Sequence, residues 1–304
     1  MSNLPNFLIV GAAKAGTTAV AHLLSQHPNI YISPLKEPKY ISSKFIQFPL
    51  NGPGDDFVEN FTIKKHSDYE KLFRHVKNQE VVGEASVENL YYYDQAIPEI
   101  KKLLGDVKII IILRNPVDRA ISAYKMLVRD GREHLSFEQA LRAEPQRMKE
   151  NYEFIWYYRD VGMYYRQVKA YLENFSQVKL LWFDDLVRDH KEFMRTIFEF
   201  LDVETHLKLQ PLYELNKSGR IRGSLFRYIF RPDGFKGSVV KFLSLRGIPD
   251  SYLTSMVEVV RSRLIHPGMI FKRRTRRELR QGYREDVSNL QRLVGRDLRA
   301  WGAA

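Results

Sequence analysis

The stretch Phe7-Leu8-Ile9-Val10-Gly11-Ala12-Ala13-Lys14-Ala15-Gly16-Thr17-Thr18 decides the fold. Its first four residues form a short apolar run closed by glycine, as in a strand buried on both faces. The period then changes. Residues 17–26 carry Val20, Leu23 and Leu24 at helical spacing, and His27-Pro28 stops them. Strand, tight loop and helix in succession predict the first unit of a parallel α/β sheet. The loop between them suits an anion. Small residues let the backbone close around it, the helix N-terminus points at it, and Thr17 and Thr18 add hydroxyl donors. A plain turn would need only a glycine or two. It would not account for a lysine between Gly11 and Gly16 followed by two threonines.

Further apolar runs at residues 30–32, 81–82, 107–113 and 178–183 read as strands, with helical periodicity between them. The expectation is a P-loop-type, doubly wound α/β sheet of about five parallel strands flanked by helices. The chain has 304 residues, 44% of them hydrophobic, with no linker, repeat or compositional break, so residues 1–304 are read as one domain. Asn115-Pro116-Val117-Asp118 predicts a capped helix start, and Ser136-Phe137-Glu138-Gln139 predicts a capping box. Residues 276–301 read as one long amphipathic helix, and residues 234–247 as a basic surface loop. In open parallel sheets ligands bind beyond the carboxyl ends of the strands. That rule selects the loop at 11–18, Lys36-Glu37, Glu84, Arg114-Asn115 and Asp184-Asp185.

The net charge of +12 fits an anionic partner: nucleic acid, anionic lipid, acidic polysaccharide or a multiply phosphorylated cofactor. The absence of cysteine excludes disulfides, thiolate metal sites and thiol nucleophiles. No apolar run approaches the roughly 18 residues of a membrane helix, and the first ten residues carry no basic leader, so a cytoplasmic location is expected.

A kinase loop would read G-x-x-x-x-G-K-[ST]. Here Thr17 stands where that lysine belongs, and the lysine has moved inside the loop to position 14. The fourth strand ends in Arg114, where a magnesium-binding enzyme would place an aspartate. An arginine repels a metal and attracts a second phosphate. Ser122, about two turns into the following helix, can face the same crevice, and arginine with a hydroxyl suits a phosphate monoester. Alternatively, Arg114 pairs with Asp118 at the helix start and Ser122 is a neutral surface residue. A P-loop kinase and a basic nucleic-acid-binding module are the competing functions. The first lacks its loop lysine and metal ligand, and the second explains neither phosphate motif.

FLIVGAAKAGTT resembles the 5'-phosphosulfate loop of sulfotransferases that use 3'-phosphoadenosine-5'-phosphosulfate (PAPS). ILRNPVDRAISAY resembles their 3'-phosphate motif, including the eight-residue step from arginine to serine. SPLKEPKYI, VVGEASVENLYY, LLWFDDLVRD and the ending YREDVSNLQRLVGRDLRAW resemble bacterial and carbohydrate-type members. The resemblance implies a metal-independent enzyme that moves the sulfuryl group of PAPS to a hydroxyl or amine. The acceptor would be a carbohydrate, glycolipid or natural product, and the nucleotide product 3'-phosphoadenosine-5'-phosphate (PAP). It implies that Lys14 contacts the bridging oxygen of the leaving phosphate, that Ala15, Gly16, Thr17 and Thr18 hold the 5'-phosphate, and that Arg114 and Ser122 hold the 3'-phosphate. A basic loop would close over the nucleotide, and residues 216–223, with Arg222 and Gly223, are the loosely matching candidate. In heparan-type members a glutamate in the segment like Lys36-Glu37-Pro38-Lys39-Tyr40 is the base, which makes Glu37 the candidate; otherwise it forms an ion pair with Lys36 or Lys39. Glu84 is the alternative base. Heparan-type members carry a lysine beside it where this chain has Ala85, so that lysine's role is missing or filled by another residue such as Lys39. No histidine occurs in 84–89, and His27, His66 and His75 read as a helix-end residue and two surface residues. The run from Lys272 to Arg277 is a solvated helix start or a guide for an acidic acceptor. Tyr91-Tyr92-Tyr93 and Trp156-Tyr157-Tyr158 line an acceptor pocket or pack in the core.

Overall fold

Five strands form a parallel sheet in the order β2-β3-β1-β4-β5: β1 (Phe7–Gly11), β2 (Ile30–Ile32), β3 (Val81–Ala85), β4 (Lys108–Leu113) and β5 (Val178–Trp182). The computed structural model describes residues 3–205, 220–221, 265–266 and 271–302. Phe7, Leu8, Ile9 and Val10 of β1 and the apolar residues of β4 are buried on both faces, which is why they read as unbroken apolar runs rather than alternating patterns. β1 pairs with β3 on one side, Leu8 opposite Glu84, and with β4 on the other, Leu8 opposite Ile109.

The helices follow from this order. α1 (Thr17–Leu24) joins β1 to β2. α2 (Asp56–Phe61) and α3 (His66–Lys71) precede β3, and α4 (Glu88–Tyr91) and α5 (Tyr93–Leu104) lead to β4. α6 (Pro116–Arg129), α7 (Phe137–Lys149) and α8 (Tyr164–Asn174) lead to β5, with α9 (Phe183–Arg188) and α10 (His190–Phe200) after it. The step from β1 to β2 runs opposite to those from β3 to β4 and on to β5. Right-handed crossovers then place α1 on one face and α4, α5 and α8 on the other. His27, just after α1, lies 5.0 Å from the Phe198 ring of α10 on that first face. It is buried and held by the Asn29 amide and the Glu204 carbonyl, a structural role, whereas His66 and His75 are exposed.

Both predicted caps form. The Asn115 side chain accepts from the Val117 amide at 3.0 Å with Pro116 at the first helical position, and Ser136 and Gln139 complete a capping box. Two boundaries differ from expectation. β3 continues past residue 82 to Ala85. The sequence places Glu84 just past the strand, but the Phe7 ring fills the space above Gly83, where an added Cβ would come within 2.0 Å of it, and Glu84 finds donors inside. The C-terminal helix α11 (Arg273–Val294) starts earlier than expected and stops at Gly295, which adopts a left-handed φ of 66°. A short turn, Arg299–Trp301, then sets Trp301 5.4 Å from Trp182 of β5. α11 packs along α8, and its Asp286 carboxylate accepts from the Tyr164 and Tyr165 amides at the start of α8. Trp156, Tyr157 and Tyr158 are core residues, with Tyr91 and Tyr92 packed against the same cluster. The segment 234–247 lies outside the described residues.

Candidate active site

The loop after β1 leaves the sheet at the top of β4, where the Ala12 amide donates to the Ile112 carbonyl at 2.7 Å. Gly11 is required there, because a Cβ would lie 2.5 Å from the Leu90 side chain. Lys14 and Gly16 both adopt left-handed backbone, φ 69° and 87°, the alternation that forms an anion nest. The Ala15 amide is used within the loop, donating to the Ala12 carbonyl at 3.2 Å. The first helical bond of α1 runs from the Val20 amide to the Gly16 carbonyl, so the amides of Thr17 and Thr18 sit at the open helix end. Thr17 is buried and Thr18 exposed.

Arg114 joins this loop to the end of β4. One guanidinium nitrogen donates to the Lys14 carbonyl at 3.1 Å, and the group lies 4.3 Å over the Phe183 ring. The Asp118 carboxylate accepts from Arg276 of α11 at 3.1 Å rather than from Arg114. Among the described residues no carboxylate forms an ion pair with Arg114. Lys125, one turn beyond the half-buried Ser122 on α6, lies in the same cationic field. Burial, then Arg276 and Arg114, push its pKa down. Lys125 therefore feels Arg276 and Arg114 as like charges, with Asp118 offsetting them in part, and a bound anion would relieve that repulsion. In the sequence Lys125 carries no signal beyond its three-residue spacing from Ser122, and Arg276 belongs to the basic run from Lys272 to Arg277.

Across the loop lies the segment after β2. The Glu37 amide donates to the Ala85 carbonyl at 3.0 Å, tying this segment to the end of β3. Glu37 and Lys39 both take left-handed φ angles, 56° and 57°. The Glu37 carboxylate is half-buried, pairs closely with Lys36, and lies 4.0 Å from Lys39 Nζ. Burial opposes its ionisation, but Lys36, Lys39 and Lys14 together hold its pKa below the usual carboxylate range. Lys14 lies 3.2 Å from the Met126 sulfur of α6. Burial and the nearby Arg129 lower its pKa to about 8, against the pull of Asp130 and Glu37. Lys14 and Glu37 thus share one electrostatic site although they sit on different loops.

Glu84 is placed differently from expectation. It lies inside β3, fully buried, and accepts from the Tyr69 hydroxyl and from Ser86 at 2.5 Å. Burial pushes its pKa up to about 7. Lys39 lies between Glu37 and a second buried carboxylate, Glu88, 3.5 Å away. Glu88 escaped the sequence reading because it follows the strand by three residues and looks like an ordinary first-turn helical acid. Arg222 and Gly223 lie outside the described residues. Of their segment only Arg220–Ile221 is described, paired antiparallel with Ile265–His266 beside α6.

This geometry can be set beside known proteins. A sequence model of the sulfotransferase family matches residues 5–206. The crystal structure of a sulfotransferase from Alicyclobacillus acidocaldarius is 36% identical, covers 98% of both chains and superposes with a TM-score of 0.76. Among curated proteins, the bifunctional heparan sulfate N-deacetylase/N-sulfotransferase 2 of Bos taurus is 33% identical over 129 residues, 40% of this chain and 13% of the relative. Carbohydrate sulfotransferase 15 of Mus musculus is 24% identical over 249 residues, 66% of this chain and 44% of the relative. The membrane-associated sulfotransferase kil1 of Dictyostelium discoideum is 30% identical over 123 residues, 40% of this chain and 22% of the relative. The matches thus span less than half the length of each of these curated relatives. With its strand order, its phosphate-type loop and a family match across about two thirds of its length, the chain belongs to the sulfotransferase family.

Proposed function

We propose that this enzyme transfers the sulfuryl group of PAPS to a hydroxyl or amine of a carbohydrate, glycolipid or natural-product acceptor and releases PAP. The observation that carries the proposal is the bond from Arg114 to the Lys14 carbonyl. It ties the phosphate-type loop to the end of the neighbouring strand, and among the described residues neither Lys14 nor Arg114 forms an ion pair with a carboxylate, which leaves both cations available to an anion. In this reading Gly16, Thr17, Thr18 and the N-terminus of α1 hold the 5'-phosphate. Arg114 and Ser122, joined by Lys125, hold the 3'-phosphate. The basic loop with Arg222 and Gly223 covers the nucleotide.

PAPS supplies an activated sulfuryl group whose bond to phosphate breaks as the acceptor bond forms. Lys14 stabilises the charge that collects on the phosphate oxygen. Glu37 receives the acceptor's proton, and its ionised state near neutrality is what a base requires. The kinase alternative is disfavoured by Thr17 and Arg114, which stand where a kinase needs a lysine and a metal-binding acid. Residues 1–304 as one domain, and a cytoplasmic location, belong to the same proposal. The packing of α11 on α8 supports the first; cell fractionation tests the second.

The test uses isotopically labelled PAPS with a panel of carbohydrate, glycolipid and phenolic acceptors. Labelled product should form in EDTA, and Glu37→Gln should slow turnover on the order of 10²–10⁴-fold with PAP affinity nearly unchanged. Turnover within a few-fold of wild type in Glu37→Gln would move the base elsewhere. Dependence on magnesium and ATP would restore the kinase reading.

A further inference from the structure

We infer that Lys39 is a positioning residue for the proposed base: it clamps the Glu37 carboxylate from behind and is itself fixed by the buried carboxylate of Glu88. The inference rests on the reading of Glu37 given above. Lys39 is 8% exposed and Glu88 is fully buried, and burying the two together compensates charges that would be costly to bury unpaired. One Glu88 oxygen accepts from the Ser42 hydroxyl at 3.0 Å. The other makes no hydrogen bond in the structure and faces Lys39 Nζ at 3.5 Å. The same ammonium reaches Glu37 at 4.0 Å, and Phe154 closes over it at 5.8 Å. One cation therefore serves two carboxylates, only one of which opens toward Lys14.

The backbone shows how this placement is reached. Ala85 carries no charge to the end of β3, but the Glu37 amide binds its carbonyl. With left-handed backbone at Lys39, the same loop carries an ammonium to Glu88, three residues past the end of that strand. The other charges facing this pair are few. Lys36 and Lys14 face Glu37. Glu153 faces Lys39 and is held in turn by Arg132, which also binds Asp55. Lys36 is on the solvent side, 29% exposed, so Lys39 is the partner of Glu37 that water screens least.

The sign of the effect is fixed. Lys39 favours ionised Glu37, so the acidic limb of the kcat–pH profile lies lower with it than without it. In Lys39→Met that limb should move up by about one pH unit or more, as expected for a like-sized shift from loss of a close, poorly screened charge. Lys39→Arg should restore it. Glu88→Gln, which frees the ammonium for Glu37 alone, should leave the limb in place or move it down. Lys39→Met strands Glu88 and risks unfolding, so Lys39→Met/Glu88→Gln, which removes both charges, is made in parallel and should show the same upward shift. Titration of the Glu37 carboxyl by carbon NMR, assigned by its loss in Glu37→Gln, gives the same comparison without turnover.

A Glu37 titration and a limb that stay unmoved in the double variant, in an enzyme that Glu37→Gln silences, would overturn the role of Lys39 alone. Full turnover in Glu37→Gln would instead remove the base, and this role with it. A fall in kcat at every pH with no shift would make Lys39 merely structural.

Discussion

Lys14 combines two facts that matter at the scale of one residue: a left-handed φ of 69° and a pKa lowered to about 8. The first aims its amide neighbours into the loop, and the second means the ammonium is poorly solvated before any anion arrives. An anion bound there should raise the pKa, so PAP binding near pH 8 should take up a proton. Calorimetry in buffers of different ionisation enthalpy would show it as a buffer-dependent heat, and PAP affinity should weaken as pH rises above 8. Lys14→Ala should abolish that proton uptake and lower kcat far more than PAP affinity, because the charge it meets grows during transfer. Buffer-independent heats at pH 8 would detach Lys14 from the anion. For the proposed 3'-phosphate site, Arg114→Ala should cost more PAP affinity than Ser122→Ala, since a charge-assisted contact exceeds a hydroxyl one. Affinity unchanged in Arg114→Ala would place the 3'-phosphate elsewhere.

At the scale of elements, β3 shows how a strand can carry a carboxylate through the core. Glu84 is opposite Leu8 of β1 and, among the described residues, has two hydroxyl donors but no cation; burial outweighs those donors and raises its pKa to about 7. A carboxyl whose folded pKa lies above its unfolded value keeps its proton longer in the folded state. Stability from this residue is therefore present at low pH and declines as pH rises from the ordinary glutamate range toward 7. Glu84→Gln preserves the shape and removes the titration. Its melting temperature relative to wild type should climb between pH 5 and pH 8. Parallel curves would show that Glu84 does not titrate in that window. The same variant should leave turnover nearly intact if Glu37 is the base. Elsewhere, α6 and α7 show elements whose starts were legible, because an N-terminal cap is a contact between residues two or three apart.

For the whole molecule, α11 packs on α8 and Trp301 on Trp182, so the C-terminal segment closes over the sheet's helical layer. Thermal unfolding should accordingly show one cooperative transition. PAP at about 100 times its Kd should raise it by roughly 4 °C, from about 2.7 kcal/mol of linkage and the unfolding entropy of a chain this long. EDTA should leave it unmoved. Two separated transitions, only one shifted by PAP, would divide the chain into two domains. The sheet, the loop at 11–18 and the capped helix after Arg114 were all readable in the sequence, since each rests on local period, small residues and near neighbours. Tertiary structure alone decided which ions meet across distant parts of the chain. It gave Asp118 to Arg276 rather than Arg114, brought Glu88 to Lys39 beside the Glu37 pairing that the sequence already offered, and enclosed Glu84 within β3. An ion's partner and its exposure depend on which elements the fold brings together across tens of residues. No spacing along the chain encodes that distance.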